Sequence, residues 1–167
     1  SNMTRGGPVS ARQFIHLHNH SQFSLLDGAS KLDDLLVKAA EFGMPAMAVT
    51  DHGNLFGAVK FFDMAMSKGI KPIIGMEAYV APGDRRDRTT GAEGTQGQQK
   101  KPYYHLVLLA ANQQGYANLV KLASLAYTEG FYYKPRIDKD LLAEHAAGLI
   151  ATSACLGGEV AQFLMSA

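Results

Sequence analysis

Between His16 and Gly28 the chain reads HLHNHSQFSLLDG, with histidines at 16, 18 and 20 and an aspartate at 27. The whole sequence holds six histidines in 167 residues, so this spacing asks for a chemical reason. In an extended segment alternate side chains share a face, which would send His16, His18 and His20 the same way. Three imidazoles make a poor apolar core, because each carries two polar nitrogens that need partners. The same arrangement suits a divalent ion, since neutral imidazole is the commonest protein ligand for zinc-like metals. An H-x-H pair alone is a weak signal. Its meaning depends on what else the chain brings to it.

Further ligand types gather near the ends of apolar runs. Ala46–Thr50 (AMAVT) leads into TDHG, which supplies Asp51 and His52, and KPIIGMEAYV carries Glu77. GLIATS leads into SACLGGE with Cys155. Taken singly, Asp27-Gly28 and Asp51-His52-Gly53 read as turns, and Cys155 as a small core residue. Glu77 is more telling, because a carboxylate inside an apolar strand is costly unless paired or metal-bound. Together they form a mixed donor set suited to Zn²⁺, Mn²⁺ or Fe. His105, in YYHLVLLA, lies near the start of its strand rather than the end. On local grounds it divides evenly between a ligand and a hydrogen-bonded structural residue.

The elements that must position these groups alternate along the chain. Strands are expected at Gln13–Leu17, Ala46–Thr50, KPIIGMEAYV, YHLVLLA and GLIATS. A helix follows the first strand, capped by Ser30, with Leu32, Leu35, Leu36, Ala39 and Ala40 inward and Gly43 as its stop. Asn54 can cap a second helix through Ala65, carrying Phe61, Phe62 and Met66. Asn112 can open a third, with Leu119, Leu122, Ala123 and Ala126 inward, and Asp138 a short fourth with Leu141 and Leu142. Helices between short apolar strands predict parallel pairing through right-handed crossovers, in an open sheet or a barrel. Residues 81–102 break the rhythm with Gly, Gln and Thr, and read as a long exposed, mobile loop. Arg85, Arg86, Arg88, Lys100 and Lys101 in it could touch nucleic-acid phosphates, but Asp84 and Asp87 dilute the charge and a solvated loop is the favoured reading.

Composition narrows the class. The chain is 47% hydrophobic and 19% charged, as expected of one globular domain. The formal net charge of +1 gives no global attraction to nucleic acid, so any such contact must be local. The single cysteine excludes an internal disulfide and fits a reducing cytoplasm. No apolar run approaches the roughly 20 residues of a membrane span. Ser1-Asn2 ahead of Met3 reads as a cloning remnant.

At this point longer strings become informative. HNHS and TDHG resemble the first two motifs of the PHP (polymerase and histidinol phosphatase) family. FSLLDGAS, AVTDHGNLFGAVKFF, GIKPIIGMEAYVAPG, HLVLLA and EGFYYKPRID resemble its branch at the N-terminus of bacterial replicative DNA polymerase III alpha subunits, from Phe14 to Met165. The resemblance implies an α/β fold, a distorted seven-stranded β/α barrel of TIM-barrel type, with up to three divalent ions in its mouth. It implies ligands at His18, His20, Asp27, His52, Glu77, His105 and Cys155, with His16 and Asp51 as neighbours behind them. It overrides the even division over His105. Residues 4–167 would then be a PHP domain with about five of its strands. The family's last metal motif, Asp-x-His, has no counterpart before Ala167, and the palm, fingers and thumb with their Mg²⁺-holding carboxylates are absent.

The implied parent is a cytoplasmic DNA-directed DNA polymerase of replication. This domain would be a metal-dependent 3′–5′ exonuclease, and the fragment alone is expected to be inactive. The alternatives are a non-catalytic module docking the proofreading exonuclease subunit, or a free-standing phosphoesterase such as histidinol phosphatase. Implied partners are DNA, the rest of the alpha subunit and the other holoenzyme subunits, with no membrane.

Overall fold

The computed structural model describes residues 14–24, 27–89 and 103–166. Five strands form one mixed sheet: β1 (Ala46–Val49), β2 (Lys71–Val80), β3 (Tyr104–Ala110), β4 (Arg136–Ile137) and β5 (Leu149–Thr152). The order is β1-β2-β3-β5, with β4 continuing the β1 side of β2. Helices α1 (Leu32–Glu41), α2 (Ala58–Ser67), α3 (Gln113–Thr128), α4 (Lys139–Glu144) and α5 (Glu159–Ser166) complete the fold. No described helix is long and apolar enough to cross a membrane.

The sheet is not all parallel. β1 and β4 run parallel to β2, but β3 pairs antiparallel with β2, and β5 antiparallel with β3. Parallel strands need a crossover element, usually a helix. The antiparallel return of β3 along β2 requires no such crossover.

The expected first strand is also different. Phe14–His20 runs along β1 without forming a regular ladder: Ala48 N donates to His16 O, and Thr50 N donates to Asn19 O. Three residues are spanned on one side against two on the other, which is a bulge. Side chains fill the broken ladder, with Asn19 Nδ2 donating to Ala48 O and Asn19 N donating to Thr50 Oγ1. Gln13 lies outside the described residues.

Alternation along β2 separates core from site. Met76, Ala78 and Val80 pack with Leu108 against Leu119, Leu122 and Ala126 of α3 and Leu141 of α4. Glu77 and Tyr79 therefore face the other way. A second core joins Leu32, Leu36 and Ala39 of α1 to Phe61 and Ala65 of α2 and to β1. Asn112 and Asp138 cap α3 and α4 as expected, accepting from Gly115 N and Leu141 N. Ser30 does not cap α1; instead Gln22 Oε1 accepts from Leu32 N. Asn54 does not cap α2, which starts after Gly57; its side chain braces the preceding loop, donating to Phe23 O and His52 O. Ala40 is exposed rather than inward, and of the apolar positions of α2, Phe61 is buried while Phe62 and Met66 are exposed.

The start of the 81–102 segment is held. Ala81 is buried, and Arg85 lies between Glu129 and Asp138, with its Nη1 2.9 Å from Asp138 Oδ2. Arg86 also reaches Glu129, at 3.0 Å. These pairings tie residues 81–89 to the fold and occupy the guanidinium of Arg85 internally, although most of the segment is exposed. Arg88 is exposed, while Lys100 and Lys101 lie outside the described residues.

Candidate metal centre

The antiparallel turn of β3 resolves the position of His105. Because β3 runs against β2, its beginning lies at the rim where β2 ends, with His105 registered opposite Tyr79. β5 reverses again and delivers Cys155 to the same rim. On the other side of β2, the chain after β1 stays in register, since Glu77 N donates to Asp51 O and Gly53 N donates to Glu77 O. That pairing sets His52 beside Glu77. Gly53 is left-handed (φ +62°), and a β-carbon there would crowd Pro135 and Tyr79.

Glu77 is fully buried and organises the cluster. Its Oε2 lies 2.5 Å from both His18 Nε2 and His20 Nε2, and its Oε1 lies 2.6 Å from His105 Nδ1. Cys155 Sγ stands 3.7 Å from the same Oε1 and 3.6 Å from His105 Nδ1. Asp27 Oδ2 sits 2.6 Å from His52 Nε2 and 3.2 Å from His20 Nδ1. All seven sequence-derived ligand candidates thus fall into one connected group. Within it His18, His20 and Glu77, then His20, Asp27 and His52, then His52, Glu77 and His105 each converge closely enough to hold an ion.

Electrostatics follow from this packing. Burial opposes ionisation of Glu77, yet hydrogen bonds from His105, His20 and His18 hold its carboxyl well below the usual range. The hydrogen bond to Glu77 raises His20 against the effect of burial. Burial pushes His52 down despite its bond to Asp27, which favours a neutral ring. With Nε2–H donating to Asp27, Nδ1 of His52 carries a lone pair. That atom is buried with no hydrogen-bond partner and lies 3.8 Å from Glu77 Oε2. Two acceptors facing each other without a proton between them suit a cation, so the donor set fits a divalent metal.

Behind the cluster, Asp51 fixes the loop that carries Asp27. It is buried and accepts from Ser21 N (2.6 Å), Ser21 Oγ (2.8 Å) and Ser24 Oγ (2.9 Å). Ser24 Oγ in turn accepts from His52 N, and Ser24 O accepts from Asp27 N and Gly28 N. His16 takes no part in the group: its ring is exposed and stands edge-on to Phe14. The bulge at Asn19 turns it away from His18. Sequence reasoning missed Ser21, Ser24 and Tyr79, the last of which stacks on His52 with ring centres 5.6 Å apart. Serines in a loop carry no distinguishing signal, and Tyr79 reads as an ordinary strand aromatic.

A profile described as PHP domain matches residues 16–167. The chain belongs to the PHP domain family. Its curated relatives include the DNA polymerase III alpha subunit of Thermus aquaticus, 59% identical over 93% of this chain and 12% of that protein. Another is the same subunit of Deinococcus radiodurans, 54% identical over 96% of this chain and again 12% of the relative. This PHP chain therefore spans about an eighth of those relatives. Among solved structures, an amidohydrolase from Chromobacterium violaceum is 25% identical over 66% of this chain and 34% of its own, with a TM-score of 0.44, too slight a likeness to carry an argument.

Proposed function

We propose that this chain is the N-terminal PHP domain of a bacterial DNA polymerase III alpha subunit, and that its cluster hydrolyses phosphodiesters at DNA 3′ ends. The observation that carries the reading is the buried Glu77 with its ring of imidazoles and the unpartnered Nδ1 of His52 beside it. His18, His20, Asp27, His52, Glu77, His105 and Cys155 would hold divalent ions, Zn²⁺, Mn²⁺ or Fe. Such ions, when bound, supply an activated water and stabilise the leaving oxygen. Glu77 neutralises charge and fixes the directions of His18, His20 and His105. Asp27 holds His52 in the tautomer that presents Nδ1 to the interior, as outer carboxylates do for metal-bound histidines. Tyr79 packs its ring against those of His52 and His105 and so limits their rotation.

The parent would act in the cytoplasm, with nucleotide transfer and its Mg²⁺ placed elsewhere in the subunit. A second, compatible role is docking of other holoenzyme parts, including a separate proofreading exonuclease subunit. The test is release of a mismatched 3′ nucleotide by the full-length parent and its His18→Ala variant. Loss of release with polymerisation retained supports the hydrolytic reading. Equal release by both proteins refutes it.

A further inference from the structure

Tyr133 is a non-glycine residue with φ +59°, and its ring is exposed. Left-handed backbone is unfavourable for a residue with a β-carbon, and it persists where the surroundings over-determine it. Here Tyr132 N donates to Lys134 O, closing a tight turn across Tyr133. The Tyr132 ring packs edge-on to Tyr133 and lies beneath the guanidinium of Arg136, at 5.1 Å. Arg136 is fully buried and donates to the carbonyls of Gly130, Arg85 and Asp87. The turn is held from below and offers its ring to solvent.

The turn also adjoins the metal cluster. Lys134 Nζ sits over the Tyr79 ring, 5.6 Å from its centre, and Tyr79 stacks on His52. Pro135, the next residue, is close enough to Gly53 that a β-carbon there would meet it at 2.9 Å. An ammonium one ring away from His52, beside an aromatic face turned outward, matches the repeating chemistry of an unpaired strand: a phosphate next to a base. The near-neutral net charge means such binding depends on local groups.

We propose that the Tyr133–Lys134 turn grips single-stranded nucleic acid at the rim of the metal cluster, Tyr133 stacking on a base and Lys134 pairing with the adjoining phosphate. This rests on the reading of the cluster as a nucleic-acid phosphoesterase. Inside a duplex each base is stacked on both faces and paired at its edge, so the grip favours an unpaired strand whose bases can be splayed onto the ring.

The test is fluorescence anisotropy of a labelled oligothymidylate with the 167-residue chain in EDTA, where metal binding and hydrolysis play no part. Tyr133→Gly relieves the left-handed strain, so it keeps or raises the melting temperature while weakening binding about tenfold. Tyr133→Trp retains binding, because stacking survives. Lys134→Gln lowers affinity and makes the salt dependence shallower by about one phosphate contact. Unchanged affinity in Tyr133→Gly, or equal weakening in Tyr133→Gly and Tyr133→Trp, overturns the stacking role. An unchanged salt slope in Lys134→Gln overturns the phosphate role. Failure of the metal reading shows separately, as absence of bound metal in the unmodified chain while these binding differences persist.

Discussion

Replacing Asp51 tests whether the loop bearing Asp27 is held from behind. The carboxylate is buried and accepts three hydrogen bonds, from Ser21 N, Ser21 Oγ and Ser24 Oγ. Hydrogen bonds to a charged group contribute about 1.5–3 kcal/mol each, and a buried N–H left without an acceptor costs about 1–3 kcal/mol. The three bonds share one residue, so their losses overlap, and Asp51→Ala is expected to destabilise by about 3–5 kcal/mol. For a chain of this size that lowers the melting temperature by about 6–20 °C. Asp51→Asn keeps an oxygen for Ser21 N and offers an amide to the Ser21 hydroxyl, which can rotate to accept it. Its cost is about 1 kcal/mol. Urea denaturation of the chain in EDTA, with both variants, measures the two values without interference from metal. An alanine cost below about 1 kcal/mol, or an asparagine cost equal to it, refutes the account of the loop.

Other consequences are as direct. Asp27→Asn is expected to reduce bound metal, read by elemental analysis, and to shrink the rise in melting temperature that added Zn²⁺ or Mn²⁺ gives the unmodified chain. Gly28→Ala places a β-carbon against the Ser21 carbonyl and should lower thermal stability, measured by calorimetry. Burial opposes ionisation of Asp138, but bonds from Arg85 and Leu141 N hold its carboxyl below the ordinary 3.8. The stability it lends is therefore present above that value and lost as pH falls through the lower folded one. Arg85→Met, followed by circular dichroism across an acid titration, should move the unfolding midpoint to higher pH.

Much of this architecture is legible in the sequence because local chemistry decides it. Asn112 and Asp138 cap helices whose apolar periods are clear, and KPIIGMEAYV and YHLVLLA form strands with those bounds. The direction of β3 is not legible, since an apolar strand reads the same in either sense. That ambiguity made His105 look misplaced. β4 has two residues, too few for any period, and its partner is remote in sequence. α5 carries no side-chain cap signal of the kind that marks α3 and α4, and none of its residues is buried. Ser30 is a good cap by type, but Gln22 folds back from an adjacent loop and takes its place. The candidate ligands could be gathered by residue type alone, whereas their mutual distances depend on pairing across β2.

The bulge at Asn19 makes this segment sensitive to length even where it is indifferent to identity. Leu17 is exposed, so many residues would serve there. Removing or adding one residue between His16 and Asn19 is another matter. It would exchange the two faces of the segment, turn His18 outward, and bring the neighbouring odd or even set toward Glu77. A substitution here changes one side chain, but a single-codon insertion or deletion shifts the register of all the side chains between the change and the Ser21 anchor. Length is thus inherited here as a constraint of its own, beside the identities of His18 and His20.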